Sequence, residues 1–260
     1  MKAPGLPSLV GLALLPLAAC ASAPPTPPAA STRAAVTITV DPGMEAQRAH
    51  LSALVDRAVV DAAACLADLG FEVDRDAILT EATFFADAES TRRQVAERFG
   101  VPPESVPPTF GGTVDGAHLL ATSPATYEAG FRALFGDAAW HEDEYLRLLV
   151  HEVVHRVHAM VATRLFGTED GMGPRWFFEG LAIDCSGQFE TQTAAPSADW
   201  AGLDDVIARA DADALTPPIY PQYATLFRTL ATRLDLAWMI RSAGRDDFVE
   251  HLEARWTARP

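Results

Sequence analysis

Positive charge is scarce in this chain of 260 residues. Its 20 basic residues face 35 acidic ones, for a formal net charge of −15. Lys2 is the single lysine, and all other basic residues are arginines. They are nowhere clustered, and duplex nucleic acid needs clustered cations, so nucleic-acid binding is excluded. Long apolar runs are also scarce. Leu9–Ala19 is apolar but too short to span a bilayer, and Pro16 interrupts it. No second such run follows, so nothing else in the chain reads as a membrane span. There is no internal repeat. The size fits one domain over residues 36–260, preceded by a short leader. Cysteine is limited to Cys20, Cys65 and Cys185. Cys65 and Cys185 fall on predicted helices. They either pair outside the cytoplasm or stay as small buried thiols, and both readings remain open.

Against this background one stretch stands out, Leu146–Ala182. It holds His151-Glu152-Val153-Val154-His155, with Leu146, Leu148, Leu149 and Val150 before the pentapeptide and Val157 after it. No Gly or Pro interrupts 142–166, which predicts one long helix. Residues four apart on a helix differ by roughly 40° and one turn, so His151 and His155 project together and can reach one metal ion. Glu152 lies about 100° round from His151, able to face a metal-bound water without ligating the metal. A catalytic zinc takes three protein ligands and keeps one position for water, so two histidines fall one ligand short. Downstream, Gly173-Pro174 opens a second predicted helix. There Glu179 is the only ionisable group among Trp176, Phe177, Phe178, Leu181, Ala182 and Ile183. A carboxylate in such company is costly unless compensated, and a metal ion would compensate it.

The His-Glu-x-x-His helix followed by Trp176-Phe177-Phe178-Glu179-Gly180-Leu181-Ala182 resembles the gluzincin metallopeptidases, in particular the bacterial peptidase MA-like domains. The resemblance covers about 146–186. It implies that His151, His155 and Glu179 ligate Zn2+, that Glu152 is the general base, and that the substrate is a peptide or protein. Arg156 departs from the uncharged residue usual after the second His, and can snorkel off one side of a buried helix. His158 lies about 10 Å along the axis from His151, too far to share one tetrahedral site, and is expected behind the ligands or partly exposed. Some gluzincins carry an Asp that orients a ligating His; Asp184 takes that role or is surface polarity. Tyr220–Leu234 resembles the segment that follows the zinc site in peptidase MA-like domains. A hydroxyl there can donate to the oxyanion of the reaction, and spacing to Leu230 favours Tyr220 over Tyr223. Simple packing of both tyrosines stays open.

The N-terminus also carries a resemblance. Leu17-Ala18-Ala19-Cys20 is similar to a bacterial lipobox, which implies a signal peptide over 1–19, cleavage before Cys20 and lipidation of its thiol. Ala21 in place of Asp implies, by analogy with Gram-negative sorting, an outer-membrane anchor facing the periplasm. Residues 20–35 are rich in Pro and Ala and predict an extended tether.

Between leader and motif, Val36–Val40 alternates and predicts a strand. Glu45–Leu69 predicts a helix with Leu51, Leu54, Val55, Ala58, Val59 and Ala62 on one face. A strand at Ile78–Phe85, a helix at Ala88–Phe99 and a proline-rich loop at Val101–Phe110 follow. Residues 112–121 read as a hairpin turning at Asp115-Gly116. In zincins the strand just before the active-site helix is often the edge against which a peptide lies, so residues 117–122 are expected there; a buried or capped hairpin is the alternative. Thr126–Phe135 predicts a helix. Beyond Glu179 come a polar loop at Gln188–Asp199 and helices at Leu203–Ala210, Tyr220–Leu234 and Phe248–Trp256. The expected fold is α+β and zincin-like, a small mixed sheet beside an active-site helix with a mostly helical C-terminal part. The alternative to a peptidase is a zinc-containing envelope binding or assembly lipoprotein without turnover, against which the intact Glu152 argues.

Overall fold

The computed structural model describes residues 35–189, 207 and 220–258. The leader with Cys20, the tether and most of the region between Phe189 and Tyr220 lie outside them, and so does the helix expected over Leu203–Ala210 apart from Ile207.

The fold is mixed α+β. Its four strands are β1 (Thr37–Val40), β2 (Glu81–Phe85), β3 (Gly112–Asp115) and β4 (His118–Thr122). They stand in the order β1-β2-β4-β3. β1 and β4 both run parallel to β2, and β3 is antiparallel to β4. The parallel pairs need helical crossovers. These are α1 (Arg48–Asp68) between β1 and β2, and α2 (Ala88–Phe99) between β2 and the hairpin. The hairpin turns at Gly116-Ala117, where Gly116 has φ 56° and Asp115 pairs with His118.

Alternation along the strands sorts two cores onto the two faces. Ala82, Phe84, Leu119 and Ala121 face the main core, whereas Phe85 and Leu120 join Val95, Ala96 and Val106 in a smaller one under α2. The register agrees, since Ala82 pairs with Leu119 and Phe84 with Ala121. This topology corrects one expectation. Residues 118–122 form an inner strand, with neighbours on both sides, and the edge beside the long helix is β3. Leu119 to Thr122 are all buried, the pattern of a strand covered on both faces.

α3 (Pro124–Phe135) leads to α4 (Glu144–Phe166), the expected long helix. Leu149, Val153, Val154, Val157 and Val161 are all fully buried. A helix apolar nearly all round belongs in the centre of a fold, and α4 packs against α1, α5 (Arg175–Ser186) and β3. Arg156 leaves this apolar surface as expected. Its Nε donates to the Ile78 carbonyl at 3.3 Å and its Nη1 lies 3.2 Å from Glu169.

Three further helices follow among the described residues from Tyr220 on: α6 (Tyr220–Ala231), α7 (Leu236–Ser242) and α8 (Phe248–Thr257). α6 ends before Leu234, which is nevertheless buried. α6 lies close on α5 because residue 180 has no side chain. A Cβ there would fall 2.6 Å from Phe227 Cβ and 3.1 Å from the Tyr223 carbonyl. On its other side α5 is tied to α1 by a disulfide between Cys65 and Cys185, with Cα atoms 5.7 Å apart. Of the two readings open for these cysteines, pairing is the one found.

Candidate metal centre

α4 and α5 bring three ligand atoms to one point. His151 Nε2 lies 3.0 Å from His155 Nε2 and 3.1 Å from Glu179 Oε2, and His155 Nε2 lies 3.4 Å from the same oxygen. Atoms each about 2.0–2.2 Å from a tetrahedral zinc lie roughly 3.3–3.6 Å from one another. Two sides of the observed triangle fall about 0.2–0.3 Å short of that range and the third lies within it, so a slight outward shift of the side chains would seat an ion. The protonation chemistry agrees. Only one proton fits between the two Nε2 atoms, whereas a cation serves both nitrogens and the carboxylate together. His151, His155 and Glu179 are the three residues among those described that form such a group. Both Nδ1 atoms are buried without a hydrogen-bond partner there.

Charge in the cleft is finely divided. Burial pushes the Glu152 carboxyl above the usual carboxylate range, against the pull of His151 and His155. Burial acts on Glu179 in the same direction, but the two histidines outweigh it and hold Glu179 well below that range. For His155, burial disfavours the charged ring, yet Glu179 and Glu152 together raise it above the ordinary histidine value. Glu152 does not belong to the ligand triangle and is 8% exposed. Its Cγ lies against β3, where a Cβ on Gly112 would come within 3.2 Å of it. Glycine at 112 thus lets Glu152 lie directly on the sheet edge.

Tyr220, at the first turn of α6, stands over the triangle with its ring 6.2 Å from that of His151. The nearby Glu179 charge and then burial raise its hydroxyl pKa, so it stays a proton donor at neutral pH. Tyr223 is fully buried and packs edge-on against Tyr220. His158 lies outside the group that could hold a metal. It is 1% exposed, sits against Phe177, and burial lowers its pKa to about 3, so it is a neutral core residue. Partial exposure is thereby corrected. Asp184 orients neither histidine, since its carboxylate pairs with Arg228 at 2.9 Å.

One residue of the site was not picked out from sequence. Arg175 opens α5, places its Nε 3.7 Å from Glu179 Oε1 and reaches the Tyr220 hydroxyl. It lines both cavities that meet at the triangle. The sequence signal was its position four residues before Glu179, one helical turn.

Those cavities differ in character. One, of about 350 Å³, runs along β3 past Thr113, Arg156 and Glu169. The other, of about 500 Å³, runs beneath the proline-rich loop and α3 and is mainly apolar. His151, Glu152, Arg175 and Tyr220 face both. The arrangement can hold a divalent cation, keep a carboxylate base beside it and offer a hydroxyl donor opposite. Comparison with family models, with curated proteins and with solved structures returned no match.

Proposed function

We propose that the chain is a zinc-dependent peptidase of the gluzincin kind, close to the peptidase MA-like domains, with a zincin-like fold. The observation that carries the proposal is the meeting of His151, His155 and Glu179 within 3.4 Å, with Glu152 buried beside them in an open cleft. Zn2+, when bound, supplies a Lewis acid that acidifies a water and polarises the scissile carbonyl. His151, His155 and Glu179 would hold it. Glu152 accepts the proton of the attacking water and hands it to the leaving amine. Its raised affinity for a proton suits the first of these tasks, because a carboxylate that binds a proton more strongly is the better base. Tyr220 donates a hydrogen bond to the oxygen on which negative charge develops. Arg175 keeps that hydroxyl in place. An extended peptide substrate would run along β3, which has no second strand partner among the described residues.

The same reading places the domain behind a lipidated Cys20 and a tether, at the bacterial envelope on the periplasmic side of the outer membrane. No helix among the described residues is long and apolar enough to cross a membrane, so membrane attachment rests on that anchor. Nucleic acid is not a partner on this reading.

The test is a pair of measurements on the purified mature chain. Elemental analysis is expected to give about one zinc per chain. Glu152→Gln is expected to keep zinc and fold but lose peptidase activity by about 10² or more. A variant cleaving at the wild-type rate overturns the mechanism. One that loses its zinc overturns the ligand assignment.

A further inference from the structure

We propose that the cavity of about 500 Å³ selects the substrate, by taking a bulky apolar side chain, aromatic above all, next to the scissile bond. This rests on the peptidase reading and adds what the enzyme prefers to cut.

The first argument is continuity. Glu152 and His151 form part of the cavity wall. A side chain lodged there therefore belongs to a residue whose backbone lies at the reacting groups. The second is asymmetry. The groove on the other side of the triangle carries Thr113 and the Arg156–Glu169 ion pair, and suits a polar stretch of peptide. The two flanks of the scissile bond thus meet different surfaces.

The third argument is the wall itself. Phe189 stacks on Phe131 at 6.0 Å with 11° between rings, and on Tyr220 at 5.8 Å with 20°. Phe135 adds a tilted ring 5.3 Å from Phe189. A continuous run of rings thus leads from α3 to the hydroxyl over the triangle. Aromatic guests gain offset and edge contacts on such a wall beyond their buried area. Phe189 holds its place at φ 56°, a conformation a bulky residue rarely adopts, and one often found where geometry serves a site.

The fourth argument is exclusion. Among the lining residues the fixed charges are Glu152 and Arg175, both at the mouth. Arg175 lies 3.7 Å from Glu179 and near Tyr220, and Glu152 serves the reaction on the proposed reading. A Lys or Asp side chain reaching past that mouth into the cavity would lose water without meeting an opposite charge. The volume lies within the range usual for ligand pockets and leaves room for an indole.

The experiment uses the mature chain carrying Glu152→Gln, loaded with zinc, so that peptides bind without turnover. Isothermal titration compares Gly/Ser-rich peptides that differ in one residue, Phe, Ala or Lys. The Phe peptide is expected to bind about 10-fold to 100-fold tighter than the Ala peptide, and the Lys peptide no tighter than Ala. Two apolar lining residues are more than a third exposed, Leu134 at 40% and Val101 at 41%. Leu134→Trp and Val101→Trp therefore fill the cavity from its rim without burdening the core. Either is expected to cut the Phe preference to about 3-fold or less. Equal binding of the three peptides, no binding of any, or a preference untouched by both substitutions overturns the inference. Wild-type cleavage without Phe selection sinks this pocket alone. Phe selection in a zinc-loaded chain that cleaves nothing keeps the pocket and sinks the peptidase.

Discussion

Replacing Gly180 by Ala pits two effects of opposite sign against each other. Gly180 lies inside α5, and a Gly in a helix interior costs about 1 kcal/mol relative to Ala. Propensity alone therefore predicts a more stable protein. The fold predicts the reverse. The new methyl would lie 2.6 Å from Phe227 Cβ and 3.1 Å from the Tyr223 carbonyl, where ordinary contact begins at 3.4 Å. Both obstacles are rigid, one a side-chain root and one backbone, so α6 must move off α5 by about 1 Å. Overpacking of this kind costs about 1–3 kcal/mol. Set against the propensity gain, a net loss of up to about 2 kcal/mol is expected, or a melting temperature lower by up to roughly 8 °C. The shift also reaches the site, because Glu179 is the preceding residue on α5 and Tyr220 begins α6. A misplacement of about 1 Å at reacting groups can lower turnover roughly 100-fold. Guanidinium and thermal unfolding give the first quantity, and peptidase assays with matched zinc content the second. A variant more stable than wild type and fully active would refute the close packing of α5 on α6.

Other expectations concern metal, clasp, donor and anchor. In the metal-free protein burial works against a charged His155, but Glu179 and Glu152 prevail and raise it, so zinc bound there would have to displace a proton. Zinc affinity, measured by competition with a chelator, should therefore climb as pH rises from about 6 to 8, and a flat profile would contradict the ligand set. Cys65→Ser with Cys185→Ser should cost about 2–4 kcal/mol in denaturant unfolding under non-reducing conditions; an unchanged midpoint would mean no bond is present. Tyr220→Phe should lower turnover by roughly 10² with zinc content unchanged, and wild-type rates would return Tyr220 to a packing role. Cys20→Ser should leave the membrane fraction or stay uncleaved. Continued processing with membrane attachment would place the anchor elsewhere.

The ligand set was the most legible part of the molecule, for a geometric reason. His151 and His155 share a helix, so their spacing alone brings their rings together. Glu179 was legible through incongruity, a lone carboxylate among aromatic residues. The sheet was less so. Alternation tells which face a residue takes, but not whether β3 or β4 lies beside β2, because that parallel pairing is a long-range choice. The unbroken apolar run Leu119-Leu120-Ala121 was the available sign that β4 lies inside. Arg175 was hidden among nineteen arginines, since its value comes from contact with Tyr220, far along the chain. His158 was read as lying behind the paired histidines or partly exposed. Of these only the exposure fails, because Phe177 covers the ring and burial leaves it neutral.

The bond between Cys65 and Cys185 bears on when the site becomes rigid. It joins the helix that backs the sheet to the helix that carries Glu179. In a reducing compartment the two positions stay thiols, and α5 is held by packing alone. Glu179 then loses one of its tethers, while both histidines stay on the central helix. On the proposed ligand set, such a chain would keep two ligands fixed and hold the third less firmly, and oxidation would fix all three. Metal retention would thereby follow the redox state of the surroundings, through a bond that touches none of the three residues.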